Sequence, residues 1–419
     1  IRLALATLQC ENPADWETML NKTISKVQTD KKAKQKTRQW WNSYWKRSYV
    51  FIDSGKIGSD YWKVGRNYQL FRYMLGCNAY GSEPTKFNGG LFTFDPVHID
   101  STRVFTPDFR LWGGGTMTAQ NQRLVYFPML KSGDFDMMKP QFDFYERMLD
   151  NAKLRTKVYW NHGGACFSEQ IENFGLPNLA EYDWKPRHEG FPIGVDSNPW
   201  LEYTWDTALE FALMMFDAHL YNNEPIVPHL PFIESLLTFF DEHYSYLALR
   251  RGTNKLDGDG HLVLYPGSAC ETYKMATNAT STVAALKVIT EKLLELPELD
   301  ATQREHWSGF LKRIPPISHR EVQGKKTISP AKMWERINNS EVPSLYPVYP
   351  WRIYGIGQPE LQTAINTYLY DPEAIEFRSH IGWKQDNIFA ACLGLTEEAE
   401  RLTLLKLSDG PHRFPAFWG

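Results

Sequence analysis

Apolar residues recur three and four positions apart in roughly ten stretches of this 419-residue chain. The pattern predicts helices over Trp16 to Val27 leading on through Trp40 to Tyr49, Tyr61 to Leu75, Asn121 to Leu130, Met138 to Leu154 and Leu201 to Leu220. It continues over Phe232 to Leu249, Ser281 to Leu296, Ala301 to Ile314, Glu360 to Leu369 and Ile388 to Leu405. Strand-like alternation is scarce, so the expected fold class is all-α. Long connectors rich in Gly, Pro and aromatic residues separate the helices at Gly81 to Gly115, Trp160 to Pro199, Asp257 to Tyr273 and Pro315 to Gly357. Connectors of that length inside a compact domain carry function, so helical hairpins whose loops converge on one face are expected, closing into a toroid. No short-period repeat of the solenoid kind interrupts this rhythm. The whole of 1–419 reads as one domain.

Composition narrows the function. Hydrophobic residues make up 42% and charged residues 23%, ordinary globular usage that excludes disorder as the dominant state. The aromatic share of 14%, with 15 Trp, suits carbohydrate, whose C–H faces lie against flat rings while its hydroxyls take hydrogen bonds. A net charge of −3 lacks the basic excess that nucleic-acid binding needs. The run Lys31 to Lys36 reads as a solvated helix face. The five cysteines show neither a C-x-x-C pair nor a metal spacing, and no apolar run reaches membrane-span length. Neither a metal nor an organic cofactor is expected.

The most informative segment is Gly260 to Tyr273, where Glu271 stands alone as a carboxylate in an aromatic loop between two helical patterns. Desolvation at a helix-bundle mouth would suit Glu271 to general-acid work; a carboxylate that salt-bridges or caps a helix is the alternative. Trp112 precedes three glycines that would let a ligand approach the backbone, or form a plain turn. Trp160, Asn161 and His162 lead on to Glu169 and Glu172, either a sugar-binding shell or a helix-terminal charge pair. Trp205 and Asp206 precede a long apolar helix containing Glu210, with Asp206 either lining a site or complementing the helix dipole. Tyr349 and Arg352 belong to a dense aromatic set, a ring-stacking wall or a proline-braced core loop. No H-E-x-x-H or G-x-S-x-G motif is present, which disfavours metal-assisted and serine chemistry.

The order of these motifs resembles the catalytic module of glycoside hydrolase family 95, inverting α-L-fucosidases and α-L-galactosidases, and most of all the bacterial domain of unknown function 5703. The resemblance is carried by Pro84 to Gly90, Asn121 to Pro128, Gln141 to Arg147, Ser268-Ala269-Cys270-Glu271 with the helix after it, and Gly382-Trp383-Lys384. It implies an (α/α)6 toroid, with Glu271 as general acid, Asn121 placing the attacking water and Trp383 in the substrate shell. The chain departs from the family at Ala119, where a second water-placing asparagine is expected, and over Leu345 to Tyr354, where a histidine-rich segment is expected. The family's water-activating aspartate is expected beyond Gly419, so the resemblance implies a toroid incomplete at its C-terminus and a β-sandwich upstream of it.

The expectation is therefore a secreted bacterial glycosidase, extracellular or periplasmic, acting on a carbohydrate by inverting hydrolysis. Inversion needs two carboxyl groups about 6.5–9.5 Å apart. Asp206, Glu169 and Glu172 are the internal choices for the base. A polysaccharide lyase using Tyr349 with Arg352 or His162 with Asn161, and a catalytically inactive glycan-binding module, are the rival readings.

Overall fold

The computed structural model describes residues 6–8, 10–52, 55–78, 80–85, 116–178, 189–192 and 194–409. The chain divides into two compact units, Ile1–Tyr49 and Val50–Gly419.

The first unit holds α1 (Pro13–Thr29) and α2 (Ala33–Arg47). Asn12 opens α1 by accepting the Asp15 N–H at 3.1 Å, and Pro13 pre-sets the first helical φ. The helical pattern expected to lead on from Trp16 towards Tyr49 is broken at Asp30. Its carboxylate accepts from the Lys32 N–H at 2.9 Å and the Lys36 ammonium at 2.7 Å, turning the chain between the helices. In α2, Trp40, Trp41, Tyr44 and Trp45 form one ring cluster.

The second unit begins with α3 (Asp60–Cys77), followed by β1 (Met117–Thr118), α4 (Ala119–Ser132), α5 (Lys139–Arg147), α6 (Leu149–Trp160) and β2 (Gln170–Ile171). Next come α7 (Thr207–Asn222), α8 (Leu230–Arg250), β3 (Gly267–Ala269), β4 (Tyr273–Ala276), α9 (Thr280–Glu295) and α10 (Ala301–Arg313). The unit closes with β5 (His319–Val322), β6 (Lys325–Ile328), β7 (Arg336–Ile337), α11 (Leu361–Tyr370), α12 (Pro372–Glu376), α13 (Asp386–Cys392) and α14 (Thr396–Lys406). Two expected helices are each split. Met138 to Leu154 becomes α5 and α6, and Ile388 to Leu405 becomes α13 and α14 around Gly394, whose φ of +77° ends a helix without strain.

Helices α4, α7 and α9 form an inner series, α4 packing on α7 and α7 on α9. Every residue from Thr207 to Ala218 of α7 is buried, so the helix has no solvent face until its last turn. By contrast α10 buries only Trp307 and Phe310, and α14 only Leu402. Outer helices pack on the inner ones, α8 against α7 and α10 against α9. The connector after α6 must lie against α8. At Gly164, φ is +80° and an added Cβ would sit 2.2 Å from the Phe239 nitrogen, so only glycine fits.

The connector over 315–357 is not structureless. Residues 315–357 contain the β5–β6 hairpin, closed by Gln323 and Gly324 with φ of +52° and +71°, the two left-handed positions of a type I′ turn. β3, β4 and β7 form a three-stranded antiparallel sheet that holds the Glu271 loop. Among the described residues no helix is long and apolar enough to cross a membrane.

Candidate active site

Glu271 sits at the tip of a tight hairpin. Ala269 pairs with Tyr273, leaving Cys270, Glu271 and Thr272 as the loop, with Cys270 in the left-handed region at φ +52°. The loop is tied on both sides. Ser268 Oγ donates to the Cys270 carbonyl at 2.7 Å, and the Asn338 N–H donates to the Thr272 carbonyl at 2.8 Å. The Glu271 N–H donates to Glu341 Oε2 at 3.0 Å, while the Glu341 N–H donates back to Thr272 Oγ1 at 2.9 Å. Asn339 Nδ2 donates to Glu271 Oε2 at 2.9 Å, fixing the carboxylate itself. Glu271 is only 7% exposed and lines a cleft of about 330 Å³.

Four more carboxylates line that cleft: Glu169, Asp206, Glu210 and Glu341. The first two are held where inner helices begin. Glu169 accepts the Gln120 N–H in the first turn of α4 and the hydroxyl of Thr207, the first residue of α7. Asp206, the residue before α7, accepts both the Ser281 and Thr282 hydroxyls of the first turn of α9 through its Oδ2, each at 2.9 Å. Unpaired N–H groups and the positive dipole end at these helix starts favour anions. Burial opposes them. It pushes the Glu169 carboxyl well above its usual range, and raises Asp206 and Glu210 as well.

Arg123 of α4 organises the other two. Its guanidinium donates to Glu210 Oε1 at 3.0 Å and to the Tyr346 hydroxyl at 2.7 Å, and lies 3.6 Å from Glu341 Oε1. Burial works against its charge, but Tyr346, Glu210 and Glu341 outweigh that and hold it firmly protonated. Gln120 and Tyr346 also donate to Glu341 Oε1, so Glu341 links the α4 network to the backbone of the Glu271 loop. Glu210 Oε2 has no hydrogen-bond partner and is buried at the cleft wall. A buried cation stands beside the site. Lys274 Nζ donates to the Glu202 carbonyl at 3.2 Å and Thr204 Oγ1 at 3.3 Å, and burial lowers its pKa to about 8.

Of the residues expected from sequence, Glu271, Glu169 and Asp206 come together in the cleft. Asn121 is buried on α4 without lining it; its neighbour Gln120 does. Trp112 lies outside the described residues. Trp160, His162 and Trp205 pack against one another and against Phe239 and His243. His162 Nε2 and His243 Nδ1 are hydrogen-bonded at 2.8 Å. Asn161 is the exposed residue that ends α6 at φ +58°, and Glu172 sits in the turn after β2. Tyr349 packs on Phe127, and Arg352 pairs with Asp217 at 3.0 Å, so Trp351 between them, not either flanking residue, reaches the cleft. Trp383 lines a second cavity of about 240 Å³ that shares Glu341 and Tyr346 with the first.

Arg123, Glu210, Glu341 and Tyr346 were missed as site residues. Two of them left a trace in the sequence. Arg123 and Glu210 are each a charge inside an otherwise buried helix, a pattern that demands an internal partner. Glu341 lies in a loop without any such contrast.

Comparison with known proteins bears on the fold first. Residues 1–50 match the N-terminal model of a domain of unknown function, DUF5703, a stretch that coincides with the first compact unit. No curated protein matches the chain. Among solved structures, one described as a candidate kojibiose phosphorylase from human microbiome superposes with a TM-score of 0.59 at 12% identity. The match covers 94% of this chain and 51% of that one, so the chain spans about half the length of its solved counterpart. At this identity the likeness carries the fold, and the fold is of the (α/α)6 type found in glycoside-processing enzymes. The comparisons support the resemblance to the domain of unknown function over its N-terminal part and a glycosidase-related fold, not family 95 in particular.

Proposed function

We propose that the chain carries the catalytic centre of a glycoside hydrolase in which Glu271 is the general acid and Asp206 the general base. The observation that supports this most is the clamping of Glu271. A carboxylate buried in a cleft, fixed through its own Oε2 and through both neighbours in the loop, is pre-organised to hand a proton to a leaving oxygen.

The assignment of the base follows from which oxygens are occupied. Glu169 uses one oxygen on the Gln120 N–H and the other on Thr207. Glu341 is engaged by Arg123, Gln120 and Tyr346, and Glu210, although its Oε2 has no partner, is ion-paired to Arg123 through Oε1, which opposes the proton uptake that a base must perform. Asp206 takes both of its hydroxyl donors on Oδ2, which leaves Oδ1 for a water molecule. Its pKa, raised by burial, moves it towards the neutral range in which a base works best. Water is the preferred nucleophile over phosphate. Five carboxylates line the cleft, and its one arginine is already held by Glu210 and Glu341, so an entering phosphate would meet mainly negative charge. The same imbalance disfavours a lyase acting on uronates, since Arg352 is engaged with Asp217.

The test is a screen of the protein on aryl glycosides and plant or algal glycans, with and without phosphate, beside Glu271→Gln. Hydrolysis independent of phosphate and lost in the variant supports the proposal. Sugar 1-phosphate as product would assign phosphorolysis, the activity in the description of the fold neighbour. Products absorbing in the ultraviolet would assign a lyase, and glycan binding without turnover a binding module.

A further inference from the structure

Lys274 is a fully buried cation that the reaction proposed above does not use. It stands on β4, three residues after Glu271, and is paired across the sheet with Arg336 of β7. We propose that Lys274 is a positioning residue of this reaction: its ammonium docks the segment that leads into Asp206 onto the hairpin that carries Glu271, and its charge stabilises the carboxylate that Glu271 becomes on giving up its proton. The proposal rests on the reading of Glu271 as acid and Asp206 as base.

Hydrogen bonds carry the docking. Nζ donates to the Glu202 carbonyl at 3.2 Å and to Thr204 Oγ1 at 3.3 Å, two acceptors on either side of Tyr203. Tyr203 has a φ of +60°, a left-handed conformation that a bulky residue keeps only where its surroundings hold it. Arg336 grips the same segment from the next strand by donating to the Glu202 carboxylate. Asp206 follows two residues after Thr204, so the sheet that presents the acid also fixes the approach to the base.

The charge is the second observation. Both acceptors of Lys274 are neutral oxygens, and no carboxylate forms an ion pair with it among the described residues. An ammonium buried in that way is costly; burial lowers its pKa to about 8 but leaves it charged at neutral pH. The groups that face it are Glu271 first, then Glu202 and Glu341, with the Cys270 thiol beside them and Arg336 across the sheet. The cation that bears on Asp206, by contrast, is Arg123. In an inverting turnover the water oxygen bonds to the anomeric carbon and passes a proton to Asp206, while the glycosidic C–O bond breaks and Glu271 protonates the leaving oxygen. Negative charge therefore moves from Asp206 to Glu271. The other four carboxylates of the cleft resist its arrival, and a fixed cation facing Glu271 favours it in the transition state.

Lys274→Met and Lys274→Gln test the idea. Both remove the charge, Gln keeps a donor for the 202–204 segment, and neither has a charge to bury, so both are expected to fold. Each is compared with wild type on two glycosides of the hydrolysed sugar: a dinitrophenyl glycoside, whose leaving group needs no proton, and an alkyl glycoside, whose leaving group needs one. In both variants kcat on the alkyl glycoside should fall about tenfold or more beyond any loss on the dinitrophenyl glycoside. The alkaline limb of kcat/KM on the alkyl glycoside, where the acid loses its proton, should move up by about one pH unit, because a carboxyl deprived of its cation holds its proton longer. Lys274→Met should lose more than Lys274→Gln on both substrates, and equal losses in the two variants overturn the docking. Equal losses on the two substrates with an unmoved limb overturn the role of the charge, even where loss of hydrolysis in Glu271→Gln upholds the reading of the cleft. Should wild type hydrolyse neither glycoside, that reading fails and the role of Lys274 falls with it.

Discussion

The carboxylate cleft and the ring cluster around Trp160 look alike in sequence, since both combine aromatic and polar residues in long connectors. In three dimensions they differ in what their groups face. Glu210 Oε2 in the cleft lacks a partner and Asp206 keeps one oxygen away from its two hydroxyl donors. In the ring cluster the two histidines satisfy each other, and Trp205 Nε1, a donor and not an acceptor, is left without a partner. Trp160 stacks with His162 at 14° between planes, His243 stacks on Phe239 at 19°, and the two histidines share a hydrogen bond. The cleft is distinguished by carboxylate acceptor capacity left over after folding, and aromatic content alone does not supply it.

Four experiments break or sharpen that contrast. The largest effect belongs to Glu271→Gln, which should lower turnover by at least about 10²-fold with the circular dichroism spectrum unchanged. A loss below tenfold would remove Glu271 from the role of acid. Next is Arg123→Met, which leaves Glu210 and Glu341 buried without their cation and should cost about 3–5 kcal/mol in chemical denaturation. Adding Glu210→Gln should restore part of that loss; no restoration would mean that the arginine acts through packing alone.

Trp160→Ala probes the other region. Removing a partly buried indole from a packed cluster should cost roughly 2–3 kcal/mol, somewhat less than the full burial range, while KM moves less than twofold. A KM rise above fivefold would return Trp160 to the substrate shell.

The smallest effect is the sharpest, because acid moves the two regions in opposite directions. Burial raises the Glu169, Asp206 and Glu210 carboxyls, so each takes up its proton at a higher pH than it does in the unfolded chain. Their contribution is full below the ordinary carboxyl pKa and is lost as pH rises through the folded value. Burial lowers His243 well below its usual range, and lowers His162. Their contribution is full above the ordinary imidazole pKa of about 6.5 and is lost as pH falls through the folded values. Melting temperatures measured from pH 7.5 to 5 should therefore fall less on acidification in His243→Phe than in wild type. Glu169→Gln should melt higher than wild type at pH 7.5, with the gap closing near pH 4.5. Parallel curves for either variant would contradict the corresponding burial argument.

Much of this was readable from the chain. The apolar spacing located every long helix from Tyr61 onward to within a few residues at most ends, and Glu271 stood out because Pro266-Gly267 and the start of α9 bracket a lone carboxylate. Asp206 was legible as a carboxylate beside a helix start, whereas Glu169 was picked out only with Glu172 as a connector pair, and that segment forms β2, with no helix start there. The aromatic residues were over-read, because a Trp that lies against sugar and a Trp that lies against Phe239 have the same one-letter code and the same neighbours in sequence. Asn121 carried its expectation from a family resemblance, and in the fold Gln120 faces the cleft instead.

By itself, then, the sequence determined the helical class, the order of the helices and the turn-bracketed loop that carries Glu271. These follow from contacts within a few residues, where 3.6-residue periodicity and left-handed turn positions act directly. Only the tertiary structure decided that Arg123, Glu210, Glu341 and Tyr346 share one network with the Glu271 loop, across separations of up to 223 positions. Such partners are chosen by which helix starts meet and by which buried charges must be neutralised there, and no local pattern records that choice.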